Sequence, residues 1–278
     1  MGLPDIRLVP MDKIYIHEEI FRDKVKTITK LMDYSGVQKN PLLTVSHKEN
    51  YIVIDGMHRT AALRELGCRM AAVCVYDYNQ KGLNLYGWSV LFYNIEEPEF
   101  IELIHLMTGL SYTKCDYKTL VSAVRDRFAC FGFYFKKSSN KYIFMDKEKH
   151  KLSVEDLIAA DKMVMVNIEE KGIEHRFISD TDSLDIFKRD NESVAMMIRP
   201  LYTKSEVVEY ALKKKLFPQK STRHEIPDRP LWLNIPLALL RADIPLAVAN
   251  DILRAEISYR WKRGRIRHYP ESVYIYDD

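Results

Sequence analysis

Tyr51-Ile52-Val53-Ile54-Asp55-Gly56-Met57-His58-Arg59-Thr60-Ala61-Ala62-Leu63-Arg64 is read from its apolar half outward. Tyr51 to Ile54 is rich in β-branched residues and predicts a buried strand. Ala62, Leu63 and Leu66 follow at helical spacing, and Gly67 supplies a C-terminal stop. A carboxylate therefore ends the strand, Gly56 makes a tight turn, and His58 and Arg59 open a helix. Free N–H groups at a helix start, at the positive end of its dipole, favour a bound phosphate. Arg59 adds a planar guanidinium suited to pairs of phosphate oxygens. Asp-Gly between apolar segments is also an ordinary turn, and neither glycine fingerprint for nucleotides is present. Residues 55–60 are accordingly a candidate phosphate site that the rest of the chain must support.

On either side, the pattern predicts an α/β unit. The expected elements are a first strand, a helix from about 19 to 32, strands 42–46 and 51–54, a helix 58–66 and a strand 70–77. Residues 95–131 read as helical. Phe100, Leu103, Ile104 and Met107 form one stripe, and Leu120, Val121, Val124 and Phe128 another. A strand is expected at 141–145 and a helix at 154–170. Strand, helix, strand follows at 177–179, 182–189 and 194–198. Thr203, with Glu206 three positions on, predicts a capped helix over 205–215. The segment 216–230, dense in Pro, Arg and Lys, reads as a long polar loop of the kind that carries function. The division expected is 1–90 and 91–278.

Composition narrows the function classes. The chain has 278 residues, with 42 basic against 39 acidic side chains. That length buries a sizeable core, and the near balance of charge demands no nucleic-acid partner. The one dense basic cluster, 260–268, contains a single aromatic, Trp261, too little for a stacking platform. Cys68, Cys74, Cys115 and Cys130 form no Cys-x-x-Cys pair and suggest no zinc site. Nothing at the N-terminus resembles a signal peptide, and no apolar run approaches the ~20 residues that span a bilayer. A cytoplasmic protein with reduced thiols and no membrane partner is expected.

The order of motifs carries a resemblance. Arg7-Leu8-Val9-Pro10-Met11-Asp12-Lys13-Ile14 precedes His17-Glu18, then a helix, then Asn40-Pro41-Leu42-Leu43-Thr44-Val45, the turn at 55–59 and the strand from Ala71 to Tyr76. This succession resembles the ParB/sulfiredoxin superfamily. Met57 stands where sulfiredoxins place a cysteine, and a thioether cannot act as their attacking thiolate. Partition ParB proteins carry a Gly-Glu-Arg-Arg type loop where this chain has Gly56-Met57-His58-Arg59. The branch it is most similar to is the free serine kinases, including the staphylococcal siderophore type. Trp88 after Tyr86-Gly87 and Ser221-Thr222-Arg223-His224 match that branch. Pro236 to Leu240 and Val273-Tyr274 resemble the siderophore type in particular.

What the resemblance implies is an α/β fold with an N-terminal ParB/sulfiredoxin-like nucleotide unit and a C-terminal α+β region. The implied activity is phosphorylation of free L-serine to O-phospho-L-serine with ATP or ADP, supplying an amino-acid or siderophore precursor pathway. Glu18 takes the family's catalytic role as general base, with Asp55 beside it. Gly56, Met57, His58, Arg59 and Thr60 hold the nucleotide phosphates. Trp88, Thr222, Arg223 and His224 meet the acceptor, Arg223 being suited to its carboxylate. A carboxylate beside phosphates implies Mg2+, with Asp55 as its ligand. Met57 and the C-terminal tail lean towards ATP as donor. The alternative is a nucleotide-binding DNA regulator of ParB type, supported by the basic stretch 260–267 and opposed by the lack of a recognisable helix-turn-helix.

Overall fold

The computed structural model describes residues 3–269; Val273 and Tyr274 of the motif comparison lie outside them. The first part of the chain runs β1 (Ile6–Pro10), β2 (Ile14–Tyr15), α1 (Arg22–Ser35), β3 (Val37–Gln38), β4 (Leu42–His47), β5 (Asn50–Asp55), α2 (Met57–Glu65) and β6 (Met70–Tyr76). Five of these strands form one sheet in the order β1-β6-β4-β5-β2. β4 lies parallel to β6 and β2 parallel to β5, while the other pairings are antiparallel.

The continuous apolar run in β5 has a topological reason. Ile52 and Ile54 pack into one core and Val53 into another. β4 does the same, with Leu43 and Val45 on one face and Leu42 on the other. A sheet covered on both faces has no solvent side, so its strands lose the alternation of an exposed sheet.

The middle of the chain builds the covering layer. Its elements are β7 (Asn84–Tyr86), β8 (Trp88–Phe92), α3 (Glu97–Thr108), β9 (Ser111–Lys114), α4 (Tyr117–Arg125), β10 (Phe131–Phe135), β11 (Lys141–Met145), α5 (Val154–Glu170), β12 (His175–Ser179), α6 (Ser183–Arg189) and β13 (Ala195–Ile198). A six-stranded sheet follows in the order β12-β8-β13-β10-β11-β9. Phe92, Phe100, Phe131, Phe133 and Phe144 meet between the layers, with ring centroids 5.1–5.9 Å apart. The segment expected to be helical from 95 to 131 is interrupted by β9, which pairs with β11. Phe128 lies beyond the end of α4 and is exposed, whereas Leu120 and Val124 are fully buried.

The last part returns to the first sheet. α7 (Lys204–Leu212) opens with the expected capping box between Thr203 and Glu206. β14 (Arg223–Glu225), β15 (Ile235–Pro236), α8 (Leu237–Arg241) and α9 (Leu246–Lys262) follow. β14 pairs with β7 and β15 with β3. Leu233, Ile235, Leu237, Leu240, Ala249 and Leu253 share the core of Leu8, Val53 and Leu63. The Asn250 side chain accepts from Leu8 N at 2.8 Å and donates to Leu8 O at 3.0 Å, satisfying the outer edge of β1.

α1 begins later than the sequence suggests, and the reason bears on the site. Residues 17–19 are held extended by a parallel bridge of Glu18 to Phe217. Phe217 N donates to His17 O at 2.8 Å, and Glu19 N donates to Phe217 O at 3.0 Å. Backbone committed to that bridge cannot also enter a helix.

Candidate active site

The turn after β5 comes first. Gly56 sits at φ 106° in the left-handed region and precedes α2. A Cβ there would stand 2.9 Å from Arg59 Nη2 and 3.0 Å from Leu42 Cδ2, so conformation and space both require glycine. The Arg59 guanidinium donates to Asp55 Oδ2 at 3.1 Å, to Pro41 O at 3.0 Å and to Asn40 O at 3.3 Å. It thus ties the strand end, the turn and the segment before β4 together, and spends its donors on the turn itself. The Thr60 hydroxyl is buried and donates to Gly56 O. Met57 packs against the core beneath. What the turn offers outward is the set of first-turn N–H groups of α2, which have no partner inside the helix.

His58 stacks on Phe21, with centroids 6.1 Å apart and planes within 8°. Its Nε2 accepts from Phe21 N at 3.1 Å, which places the proton of a neutral ring on Nδ1. Burial lowers its pKa, and the charges of Lys24 and Lys220 lower it further. Lys24 lies over the Phe21 ring that His58 stacks on, and Lys220 over the Trp88 ring.

Glu18 is buried, as is the adjacent His17. Thr222 donates to Glu18 Oε1 from its backbone N at 2.6 Å, and its hydroxyl oxygen lies within hydrogen-bond distance of the same carboxyl oxygen. His17 Nδ1 donates to Val53 O at 2.8 Å, and its Nε2 lies 2.8 Å from Thr222 Oγ1. Desolvation by burial raises the pKa of Glu18 above the ordinary carboxylate range, against the Thr222 hydrogen bonds and the Arg199 charge. A carboxyl group desolvated in this way is a stronger base than a surface one.

The segment carrying Thr222 is fixed from below. Arg199 forms a two-point ion pair with Asp161, one contact being Nε to Oδ1 at 2.7 Å. The same guanidinium donates to Lys220 O at 2.5 Å and Gln219 O at 3.3 Å. Lys220 adopts φ 55°, a strained backbone for a non-glycine residue. Its carbonyl is one of the acceptors that Arg199 holds.

Trp88 donates from Nε1 to Thr222 O at 2.9 Å. The Lys220 ammonium lies 4.7 Å from its ring centre and the Arg223 guanidinium 5.8 Å. The tryptophan thus forms a wall flanked by two cations. His224 is buried, accepts or donates at 2.7 Å with the Tyr78 hydroxyl, and meets His17 edge-on at 5.5 Å. Burial drives its pKa well below the usual value, and the charges of Lys204 and Arg229 lower it further. It is a neutral spacer between His17 and Tyr78, one layer back from Trp88.

The residues singled out in the sequence therefore divide. Glu18, Thr222, Trp88 and Arg223 come together, and Lys220 links them to His58 at the start of α2. Asp55 stands beside Arg59 and, at 3.5 Å, Arg229. His224 and Thr60 support from within. Lys24, Lys220, Arg199, Asp161 and Arg229 were not singled out, since isolated charged residues carry no spacing signal. Among the described residues no group of three or more His, Cys, Asp or Glu could hold a metal ion. Asp55 has 40% of its side chain exposed but is ion-paired with Arg59 and Arg229, so it offers a Mg2+ ion one carboxylate, and phosphate oxygens and waters would have to complete the coordination.

No family model matches the chain. Its relatives are more informative. An ATP-dependent L-serine kinase of Staphylothermus marinus is 25% identical over 246 residues, covering 84% of this chain and 90% of the relative. The ATP-dependent L-serine kinase SbnI of Staphylococcus aureus is 24% identical over 278 residues, covering 97% and 96%. The ADP-dependent L-serine kinase SerK of Thermococcus kodakarensis is 24% identical over 238 residues, covering 84% and 92%. Among solved structures, a free serine kinase in complex with AMP superposes with a TM-score of 0.70 at 23% identity, over 86% of this chain and 95% of that one. C-terminally truncated SbnI from Staphylococcus aureus gives 0.68 at 19% identity, over 93% and 97%. The resemblance to free serine kinases drawn from the motifs is borne out, and the fold is theirs.

Proposed function

We propose that the chain phosphorylates free L-serine to O-phospho-L-serine with ATP and Mg2+. The observation that carries this reading is the buried Glu18, held by Thr222 between the Trp88 wall and the cationic start of α2. Glu18 serves as general base. The serine hydroxyl oxygen bonds to the terminal phosphorus as the bond from that phosphorus to the leaving ADP oxygen breaks, and the hydroxyl proton passes to Glu18. Positioning and charge neutralisation are the main requirements of such a transfer.

The N–H groups of residues 57–59, with Lys220 and Lys24, receive the phosphates, and Arg59 braces the turn that presents them. Arg223 takes the serine carboxylate beside Trp88. Asp55 would hold Mg2+, and the ion would neutralise phosphate charge there. The near full-length match to an ATP-dependent relative supports ATP as the donor. A product of this kind feeds amino-acid or siderophore synthesis, and the reaction belongs in the cytoplasm, where ATP is supplied. Among the described residues no helix is long and apolar enough to cross a membrane. The regulator reading loses support because Arg260, in the basic stretch, is taken up by Glu256 and Leu233 O.

The test is incubation with Mg2+ and either ATP or ADP in the presence of each of the twenty amino acids, read by mass spectrometry. Phosphoserine with ATP is the expected product. Nucleotide turnover stimulated by DNA, without a phosphorylated amino acid, would overturn the reading.

A further inference from the structure

His17, Thr222 and Glu18 pose a proton-counting problem. His17 Nδ1 lies 2.8 Å from a carbonyl oxygen, Val53 O, so that nitrogen carries a hydrogen. A neutral His17 then has a bare lone pair on Nε2, facing Thr222 Oγ1 at 2.8 Å. The same hydroxyl contacts Glu18 Oε1. Two contacts need two hydrogens, and the hydroxyl supplies one. An ionised Glu18 beside a neutral His17 would therefore leave two lone pairs facing each other in a dry interior. One extra proton completes the chain. With the carboxyl protonated, Glu18 donates to Thr222 and Thr222 donates to His17.

We propose that His17, acting through the Thr222 hydroxyl, holds Glu18 protonated at rest and so sets the pH at which the base becomes available. His17 and Thr222 are positioning residues here, since Glu18 is the group that meets the acceptor. The site must first lose the stored proton to solvent. Glu18 then takes the hydroxyl proton of the acceptor and returns to its protonated resting form. The role in turnover rests on the kinase reading; the shared proton does not.

Other charges act on this chain of three, and none supplies the missing hydrogen. Arg199 faces Glu18 but is committed to Asp161. The backbone of Lys220 lies near Glu18 and acts to lower its pKa. On the far side His224 packs on His17, is tied to Tyr78, and lies under the charges of Lys204 and Arg229. Burial lowers the pKa of His17 to about 4, so the imidazole stays neutral and its Nε2 remains an acceptor. Burial raises that of Glu18, in the same sense.

The test separates the shared proton from catalysis. In nucleotide-free protein, the carboxylic acid band of Glu18 is isolated by infrared difference against Glu18→Gln and titrated. His17→Asn keeps a donor for Val53 O and removes Nε2. The Glu18 midpoint should fall by about one pH unit, a tenfold loss of proton affinity on the scale of one hydrogen bond. The acid limb of kcat should move down with it. In a Thr222→Val background, adding His17→Asn should move neither, because the coupling runs through the hydroxyl. Nitrogen NMR of the wild-type imidazole needs no variant, and Nε2 should respond over the pH interval in which Glu18 titrates. A midpoint unmoved or raised in folded His17→Asn, or an Nε2 signal silent through that interval, overturns the proposal. Absence of phosphoserine from wild-type protein would sink the kinase reading while the infrared midpoint still decides this one.

Discussion

Replacing Asp161 with alanine tests whether the loop that holds Glu18 depends on a charge pair beneath it. Asp161 and Arg199 have side chains only 1% and 3% exposed. Removing the carboxylate strands the guanidinium in the interior, where Gln219 O and Lys220 O are left as partners. Breaking a buried pair on one side costs about 3–5 kcal/mol, against a total stability on the order of 5–15 kcal/mol. The expected loss is therefore a large fraction of the whole, and Tm should drop on the order of 10 °C. Urea unfolding followed by circular dichroism measures it, with the m-value checking that the transition remains two-state. The double change Asp161→Leu with Arg199→Met should regain most of the stability, since neither charge is then stranded. It should not regain turnover, because Lys220 and Gln219 lose the guanidinium that fixes their carbonyls. A loss below about 1 kcal/mol in Asp161→Ala, far under the buried-pair range, would refute the account, as would full activity in the double variant.

Four other outcomes follow from the same geometry. Glu18→Gln should slow phosphoserine formation by about 10²–10⁴-fold with nucleotide affinity by calorimetry unchanged; near-normal turnover would put the base elsewhere. The same variant should gain stability over wild type as pH rises: the folded pKa of Glu18 is raised, so its contribution is full below the unfolded value and lost as pH rises through the folded one. His17 has the opposite sign, its folded pKa being lowered to about 4, so its contribution is present above its ordinary value and lost as pH falls from there to about 4; denaturation midpoints of wild type and His17→Asn should diverge in that window. Gly56→Ala, forced into a left-handed backbone against Arg59, should cost about 1–3 kcal/mol and weaken nucleotide binding, and unchanged affinity in that variant would argue against the turn as a phosphate site.

How much of this was legible in the sequence depended on whether the signal was local. The helix over α5 and the capping box of α7 are written in neighbouring residues, and both appear where the pattern places them. β9 was missed because Ser-Tyr-Thr-Lys carries no apolar run; its strand character comes from pairing with β11. α1 starts late for a similar reason, since Phe217, about two hundred positions away, holds residues 17–19 extended. In the site, the motif match drew attention to Glu18 and Thr222 but not to their contact. Arg59 was read as a free hand for phosphate because sequence does not show that Asp55, Asn40 and Pro41 already occupy it. Arg199 and Asp161 left no trace, as two charged residues 38 positions apart share no spacing rule.

The contact of Asn250 with both backbone groups of Leu8 bears on how the chain is made. During synthesis β1 emerges long before α8 and α9, so its outer edge and one face of its sheet stay uncovered until those helices leave the ribosome. Hydrophobic surface around Leu8, Val53 and Leu63 waits for Leu240, Ala249 and Leu253. Long-range closure of that kind slows folding and leaves an edge open to association. A fragment ending near residue 90 would carry the whole turn at residues 55–60 and still lack Leu233, Ile235, Leu237, Leu240, Ala249 and Leu253 of the core beneath it. The sheet that carries residues 55–60 is closed only by helices made long after its own strands.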